Sequence, residues 1–158
     1  MILNKSTYKL IKLPVAICVL AFFAHCNDRT LEDLDLAQGK VAGQDWVFAS
    51  GNAIRGINEI EIILMNFETS NPCGVLNPPR PYVKFTVPAT PGTYSIPFSE
   101  TSKTVKFFEG SSSAKSLSST SGFVQIISIN GFTVDALIQA SFDDDNDIAG
   151  AFFATSCN

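Results

Sequence analysis

Apolar and polar residues alternate with a period of two over most of the chain after residue 40. Successive strand side chains point to opposite faces, so this pattern predicts half-buried β-strands. Residues 45–50 place Trp46 and Phe48 on one face. Gly51-Asn52 predicts a turn, or a bulge if the strand runs on through Ala53 and Ile54. Residues 59–67 set Ile60, Ile62 and Leu64 against Glu59, Glu61, Ile63 and Met65, a strand whose outer face grows more apolar along its length. Residues 82–87 alternate Tyr82, Lys84 and Thr86 with Val83, Phe85 and Val87. Strands are also predicted at 92–98, with Tyr94 and Ile96 inward, and at 103–108, with Val105 and Phe107 sharing a face. Three more follow: 123–130 with Phe123, Ile127 and Ile129 together, 132–142 with Phe132, Val134, Ala136 and Ile138 together, and 148–156.

Turn chemistry separates these runs. Residues 71–81 hold Pro72, Pro78, Pro79 and Pro81, which cannot donate to a strand ladder, so this loop runs outside the sheet. Residues 88–92 form a second Pro/Gly turn. The serine-rich stretch 110–122 reads as a flexible loop, because it carries too little apolar surface to fold by itself. Asn130-Gly131 predicts a type I′ hairpin, where both residues tolerate positive φ. Residues 143–147 form a second, acidic hairpin turn. The sum is eight or nine strands, no sustained helical period and no internal repeat. The expected fold is all-β, an antiparallel β-sandwich or a flattened barrel.

The first forty residues have another grammar. Lys5, Lys9 and Lys12 precede an apolar run at 13–24, and Cys26 follows it. The run is shorter than the roughly 20 residues that span a bilayer, but suits the core of an export signal. Phe22-Phe23-Ala24-His25-Cys26 resembles the Leu-Ala-Gly-Cys box of bacterial lipoproteins, with Ala24 matching and Phe23 and His25 departing. The expectation is a lipoprotein signal at 1–25, lipidation of Cys26, an acidic tether at 26–38 and one β-domain at 39–158. The alternative is an ordinary secretory signal with Cys26 in a disulfide. Acyl chains on Cys26 would anchor the chain without any membrane-binding surface on the domain, at about 0.8 kcal/mol per buried CH₂. The position after Cys26 is Asn27 rather than the Asp of an inner-membrane retention signal, so the expected address is the outer membrane. The acidic residues Asp28, Glu32, Asp33 and Asp35 resemble the surface-export leader of Bacteroidota lipoproteins.

Processing changes the composition. It would leave 133 of the 158 residues, enough for one core. Loss of the three leader lysines sets 8 basic residues against 15 acidic ones, a net charge near −7 without a basic face. Nucleic acid is therefore not an expected partner. The single histidine, His25, leaves with the leader, which removes histidine triads, dyads and imidazole zinc sites from consideration. Of the 4 cysteines, Cys18 is in the leader and Cys26 is the anchor. Cys73 and Cys157 remain as an even pair, expected to be bridged in an oxidising compartment, with two buried free thiols as the alternative.

Three motifs carry the wider resemblance. They are Gly39-Lys40-Val41-Ala42-Gly43-Gln44-Asp45-Trp46-Val47-Phe48, the turn Pro91-Gly92-Thr93-Tyr94, and the ending in which Asp143-Asp144-Asp145 precedes Ile148-Ala149-Gly150-Ala151-Phe152 and Cys157. In these the chain resembles small exported β-sandwich lipoproteins of Bacteroidota, a group without an assigned activity. The resemblance implies a fold and an address but no catalytic residue.

The candidate chemistry is sparse. Asp143, Asp145 and Asp147 alternate like the start of a calcium loop, a ligand set that must supply about 6–8 oxygens. Ile148 stands where such a loop needs glycine, and a solvated turn explains the same residues. Weak calcium binding is the one cofactor reading; otherwise none is expected. Glu59 and Glu61 share a strand face, as glycosidase carboxylates do, but equally serve as solubility charges. Tyr82 and Lys84 beside Arg80 suit a sugar-stacking surface or an ordinary outer face. Trp46 is expected in the core. The leading expectation is a non-enzymatic, membrane-anchored binding or accessory module whose partner is a glycan or an envelope protein. A lipocalin-like carrier with an apolar cavity and a purely structural lipoprotein are the alternatives.

Overall fold

The computed structural model describes residues 34–97, 104–110 and 115–157. The leader, Cys26 and the larger part of the acidic segment lie outside the described residues. The fold is all-β, and the described residues form eleven strands: β1 Gln38–Val41, β2 Gln44–Val47, β3 Ser50–Arg55, β4 Glu59–Met65, β5 Tyr82–Pro88, β6 Gly92–Ser95, β7 Lys106–Phe108, β8 Ser116–Ser118, β9 Ser121–Ile129, β10 Thr133–Asp143 and β11 Asn146–Cys157. One short 3₁₀ turn, Pro72–Gly74, sits in the long loop.

Nine strands form a continuous path in the order β6-β9-β10-β11-β3-β4-β5-β7-β8, and the β1–β2 hairpin branches from β11. All pairings between strands are antiparallel except β11 with β3, which is parallel. The sheet is therefore mixed and curled into a half-barrel, so of the expected antiparallel sandwich or flattened barrel the all-β class holds and the fully antiparallel pairing does not. The curl follows from chain length. Ser118 ends β8 at one edge of the path, and Ser121 opens β9 next to the other edge. Three residues span only about 10 Å, so the two ends of the sheet must approach one another there.

β11 is the hub. Its length pairs with β10, its first half takes β1 on the other side, and its last residues take β3. Chain entry is part of this fork: Ala37 N donates to Ala151 O, and Ala151 N donates to Asp35 O. Opposite this junction stands Gly150, with φ at +136°. A Cβ there would drive into the backbone of Asp35 and Ala37, so glycine is required for the close approach. Pairing thus begins before residue 39, inside the stretch expected to be a free tether.

One apolar cluster fills the concave side, drawing Trp46 from the hairpin, Ile60, Ile62 and Leu64 from β4, Phe85 from β5, Phe107 from β7, Ile138 from β10 and Phe152 from β11. Phe152 sits at its centre, 6.3 Å from the Phe48 ring and 6.0 Å from the Phe85 ring. Trp46 is buried as expected, and its indole N–H donates to Pro81 O at 3.0 Å. A second cluster lies on the convex side, where Ile63, Met65 and Tyr82 pack with Phe67, Val75 and Phe108. The apolar outer end of β4 is thus covered by the long loop that follows it.

Several sequence expectations are corrected. Gly51-Asn52 is strand interior, paired with Leu64 and Ile63. Part of the serine-rich stretch forms β8, paired with β7, and the start of β9, where Ser121 and Gly122 pair with Ser141 and Ala140, because tertiary pairing outweighs weak local propensity. A bulge in β9 lets Ile126 and Ile129 both face inward and turns Ile127 outward. Neither Asn130 nor Gly131 has positive φ, so the turn is not type I′. Instead Asn130 Oδ1 accepts from the N–H groups of Phe132 and Thr133 at 2.8 Å each. This places Phe132 in the turn, 83% exposed, and not on the buried face with Val134.

Cys73 and Cys157 are disulfide-bonded across 84 residues of sequence, with Cα atoms 5.6 Å apart. Beside the bridge, fully buried Asn52 donates through Nδ2 to Pro72 O at 2.9 Å and Val75 O at 2.8 Å. Bridge and amide together fasten the 3₁₀ turn over the parallel β3–β11 pair.

Two stability measurements check this account. The Cys73→Ser/Cys157→Ser variant should lose about 4 kcal/mol in urea unfolding, from restored freedom of the unfolded chain. Phe152→Ala should lose about 3–5 kcal/mol by cavity formation, whereas Phe132→Ala should change stability by less than about 0.5 kcal/mol.

Candidate functional site

The three residues singled out for sugar stacking do not form an open platform. Tyr82 opens β5 and pairs with Phe108 of β7. Its ring stacks on Phe108 with centroids 4.5 Å apart and planes within 3°, and the residue is only 5% exposed. Lys84 lies two residues on along the same face, where its Nζ binds Glu61 Oε1 at 2.9 Å. Both partners are about a third exposed, so the pair adds little to stability. Arg80 lies over the Phe67 ring at 5.8 Å. These side chains hold the long loop against the convex face, and the phenol faces protein.

Tyr82 records that environment. Burial, and secondarily the negative charge of Glu61, push its pKa above the ordinary value of 10.0. Both causes penalise the phenolate.

The acidic turn serves the backbone. Asp143 Oδ1 accepts from Asp145 N at 3.1 Å and from Asn146 Nδ2 at 2.8 Å. Asn146 in turn accepts at Oδ1 from Ala42 N at 2.9 Å, and Gly43 N donates to Asp145 O. The β10–β11 and β1–β2 turns are thereby stitched together. Asp143, Asp145 and Asp147 are all exposed. Among the described residues no group of three acidic, cysteine or histidine side chains is placed to hold a metal ion.

Near this end a small cavity of about 50 Å³ is lined by Ala42, Phe107, Glu109, Lys115, Leu117 and Asn146. It has room for a water or two, far short of the roughly 300–1,000 Å³ of a small-molecule site. Among the described residues no helix is long and apolar enough to cross a membrane.

What sequence reading missed is the distribution of exposed apolar residues. Ile57 is 98% exposed in the β3–β4 turn and Phe132 is 83% exposed in the β9–β10 turn. Arg55 ties these turns together, its Nη2 donating to Asn130 O at 2.7 Å. The signal was available as an apolar residue inside each polar turn, Gly56-Ile57-Asn58 and Asn130-Gly131-Phe132. No protein-family model, curated protein or solved structure matches the chain.

The raised phenol pKa gives a pH prediction. Tyr82 contributes stability that is fully present below about pH 10 and is lost as pH rises through the raised native value. Ultraviolet phenolate titration of the native protein should show a late tyrosine step that Tyr82→Phe removes.

Proposed function

We propose that the chain is an exported, lipid-anchored module of the cell envelope that works by binding or support and not by catalysis. The observation that carries the reading is the filled interior. The rings of Phe48, Phe85 and Phe152 meet across the concave side of the sheet, where a lipocalin-like carrier would need an empty apolar cavity. A packed interior leaves recognition to the outer surface and the turns, as expected of a module that meets a glycan or an envelope protein.

Two further observations fit. The Cys73–Cys157 bridge suits an oxidising compartment outside the cytoplasm. Of the two carboxylates considered for catalysis, Glu59 and Glu61, the second pairs with Lys84, and Asp143, considered for calcium, caps its own turn.

The decisive measurement is metabolic labelling. Cells expressing the full chain should incorporate labelled palmitate into the protein, and Cys26→Ala should abolish both the label and membrane fractionation. An unlabelled chain that fractionates with soluble proteins would overturn the anchored reading.

A further inference from the structure

Asn130-Gly131 is the one Asn-Gly step in the chain. Such a step carries its own electrophile, the side-chain amide carbon Cγ, and its own nucleophile, the backbone nitrogen of the glycine. The two can close a five-membered ring. Because the reaction is intramolecular, the entropy of bringing the groups together is already met. Glycine has no Cβ to hinder the approach. Here both residues are exposed, and a Cβ built on Gly131 would meet nothing within 4 Å. Asn146, in the other hairpin turn, is buried and is followed by aspartate, whose side chain crowds the same path.

The Asn130 turn adds three aids to ring closure. Two backbone N–H groups, from Phe132 and Thr133, converge on one side-chain atom of Asn130 at 2.8 Å each. Two donors fix that atom as the oxygen, Oδ1. Negative charge gathers on Oδ1 when Cγ is attacked, so the pair of N–H groups stands where an oxyanion hole would. On the other side of the amide, Nδ2 lies 3.0 Å from Thr133 Oγ1, a hydroxyl that can hand a proton to a departing nitrogen. Arg55 Nη2 donates to Asn130 O at 2.7 Å. That carbonyl belongs to the peptide bond whose nitrogen must attack. A cation on its oxygen stabilises the deprotonated amide, which is the nucleophilic form.

We propose that Asn130 is a self-modification site, converted from amide to acid by the folded turn without an enzyme. The Gly131 N–H gives its proton to hydroxide, and the nitrogen bonds to Cγ. The Cγ–Nδ2 bond breaks, and Nδ2 leaves as ammonia with a proton from Thr133 Oγ1, which recovers one from water. Water then opens the cyclic imide at either carbonyl. Cleavage between nitrogen and Cγ gives aspartate, which keeps an oxygen for the turn and sets a full negative charge on the residue that Arg55 holds. Cleavage at the backbone carbonyl gives isoaspartate, which lengthens the main chain by one carbon and turns the capping carbonyl into a peptide group. The tip that carries Phe132 thus acquires a second, acidic form. This goes beyond the envelope reading and does not depend on it.

The test follows the purified full chain at mildly alkaline pH, folded and unfolded in urea. Peptide mass mapping reads the conversion at Asn130, and methylation by an isoaspartyl methyltransferase measures the isoaspartate product. The folded chain should convert at Asn130 at least as fast as the unfolded chain, at a rate that rises in proportion to hydroxide, while Asn146 stays intact. Arg55→Gln and Thr133→Val should each slow the folded rate severalfold and leave the rate in urea unchanged. Slower conversion in the folded chain than in urea would overturn the proposal, because the capped turn would then shield its asparagine. So would a folded rate that neither Arg55→Gln nor Thr133→Val slows.

Discussion

Everything in the fold is arranged around β11, which must satisfy three neighbours at once. Its inner face supplies Ile148, Phe152 and Ala154 to the core. Its backbone groups are shared between β10 on one side and, in succession, β1 and β3 on the other. A strand in this position bends the sheet around itself, because each set of partners carries a different part of the chain onto the same concave face. The parallel β3 contact is short, only Thr155 to Cys157 against Asn52 to Ile54. It is reinforced where backbone pairing is shortest, by the covalent bridge at Cys157 and the buried amide of Asn52. A long connection separates β3 from β11, so pairing them carries a large loop-closure cost, which a bond that limits the freedom of the open chain offsets.

Local pattern was legible where a strand has one wet and one dry face. Alternation in β4 and β5 correctly assigned Ile60, Ile62, Leu64, Val83, Phe85 and Val87 to the interior. The apolar end of the outer β4 face, Ile63 and Met65, was noted from the pattern, but the layer that covers it was not foreseen. The cysteine pair was legible from arithmetic, once export to an oxidising compartment was expected. What sequence did not reveal was order across the sheet. Short hairpins imply antiparallel neighbours, but nothing in residues 50–55 or 155–157 announces that these segments meet in parallel. β8 was hidden for a related reason: serines have little preference of their own, and the pairing with Lys106, Gly-free and regular, is imposed by the partner strand.

The candidate sites separate in the same way. Residue type alone made Tyr82, Lys84 and Arg80 look like a binding face, because aromatic and basic groups suit sugars. Their neighbours decide otherwise: Phe108 covers the phenol, Glu61 engages the ammonium and Phe67 lies beneath the guanidinium. The acidic turn likewise looked like a ligand set until its hydrogen bonds were placed, with Asp143 turned onto its own backbone. Misplacing Phe132 had a single cause. Counting alternate residues from Val134 puts it on the inner face, but Asn130 accepts two backbone N–H groups and makes the turn one residue wider.

That wider turn changes the surface of the molecule. Had Asn130 and Gly131 formed a tight two-residue turn, Phe132 would have continued β10 and added to the core. The Asn130 side chain takes it out of the ladder and leaves an aromatic ring in water, at a cost of about 2 kcal/mol in apolar transfer. Ile57 is in the same position one turn away, held there by the Arg55 contact to Asn130. Neither ring nor aliphatic chain is needed for packing, since the concave face is filled without them. Two exposed apolar side chains cluster on one pole, an arrangement that core stability does not require.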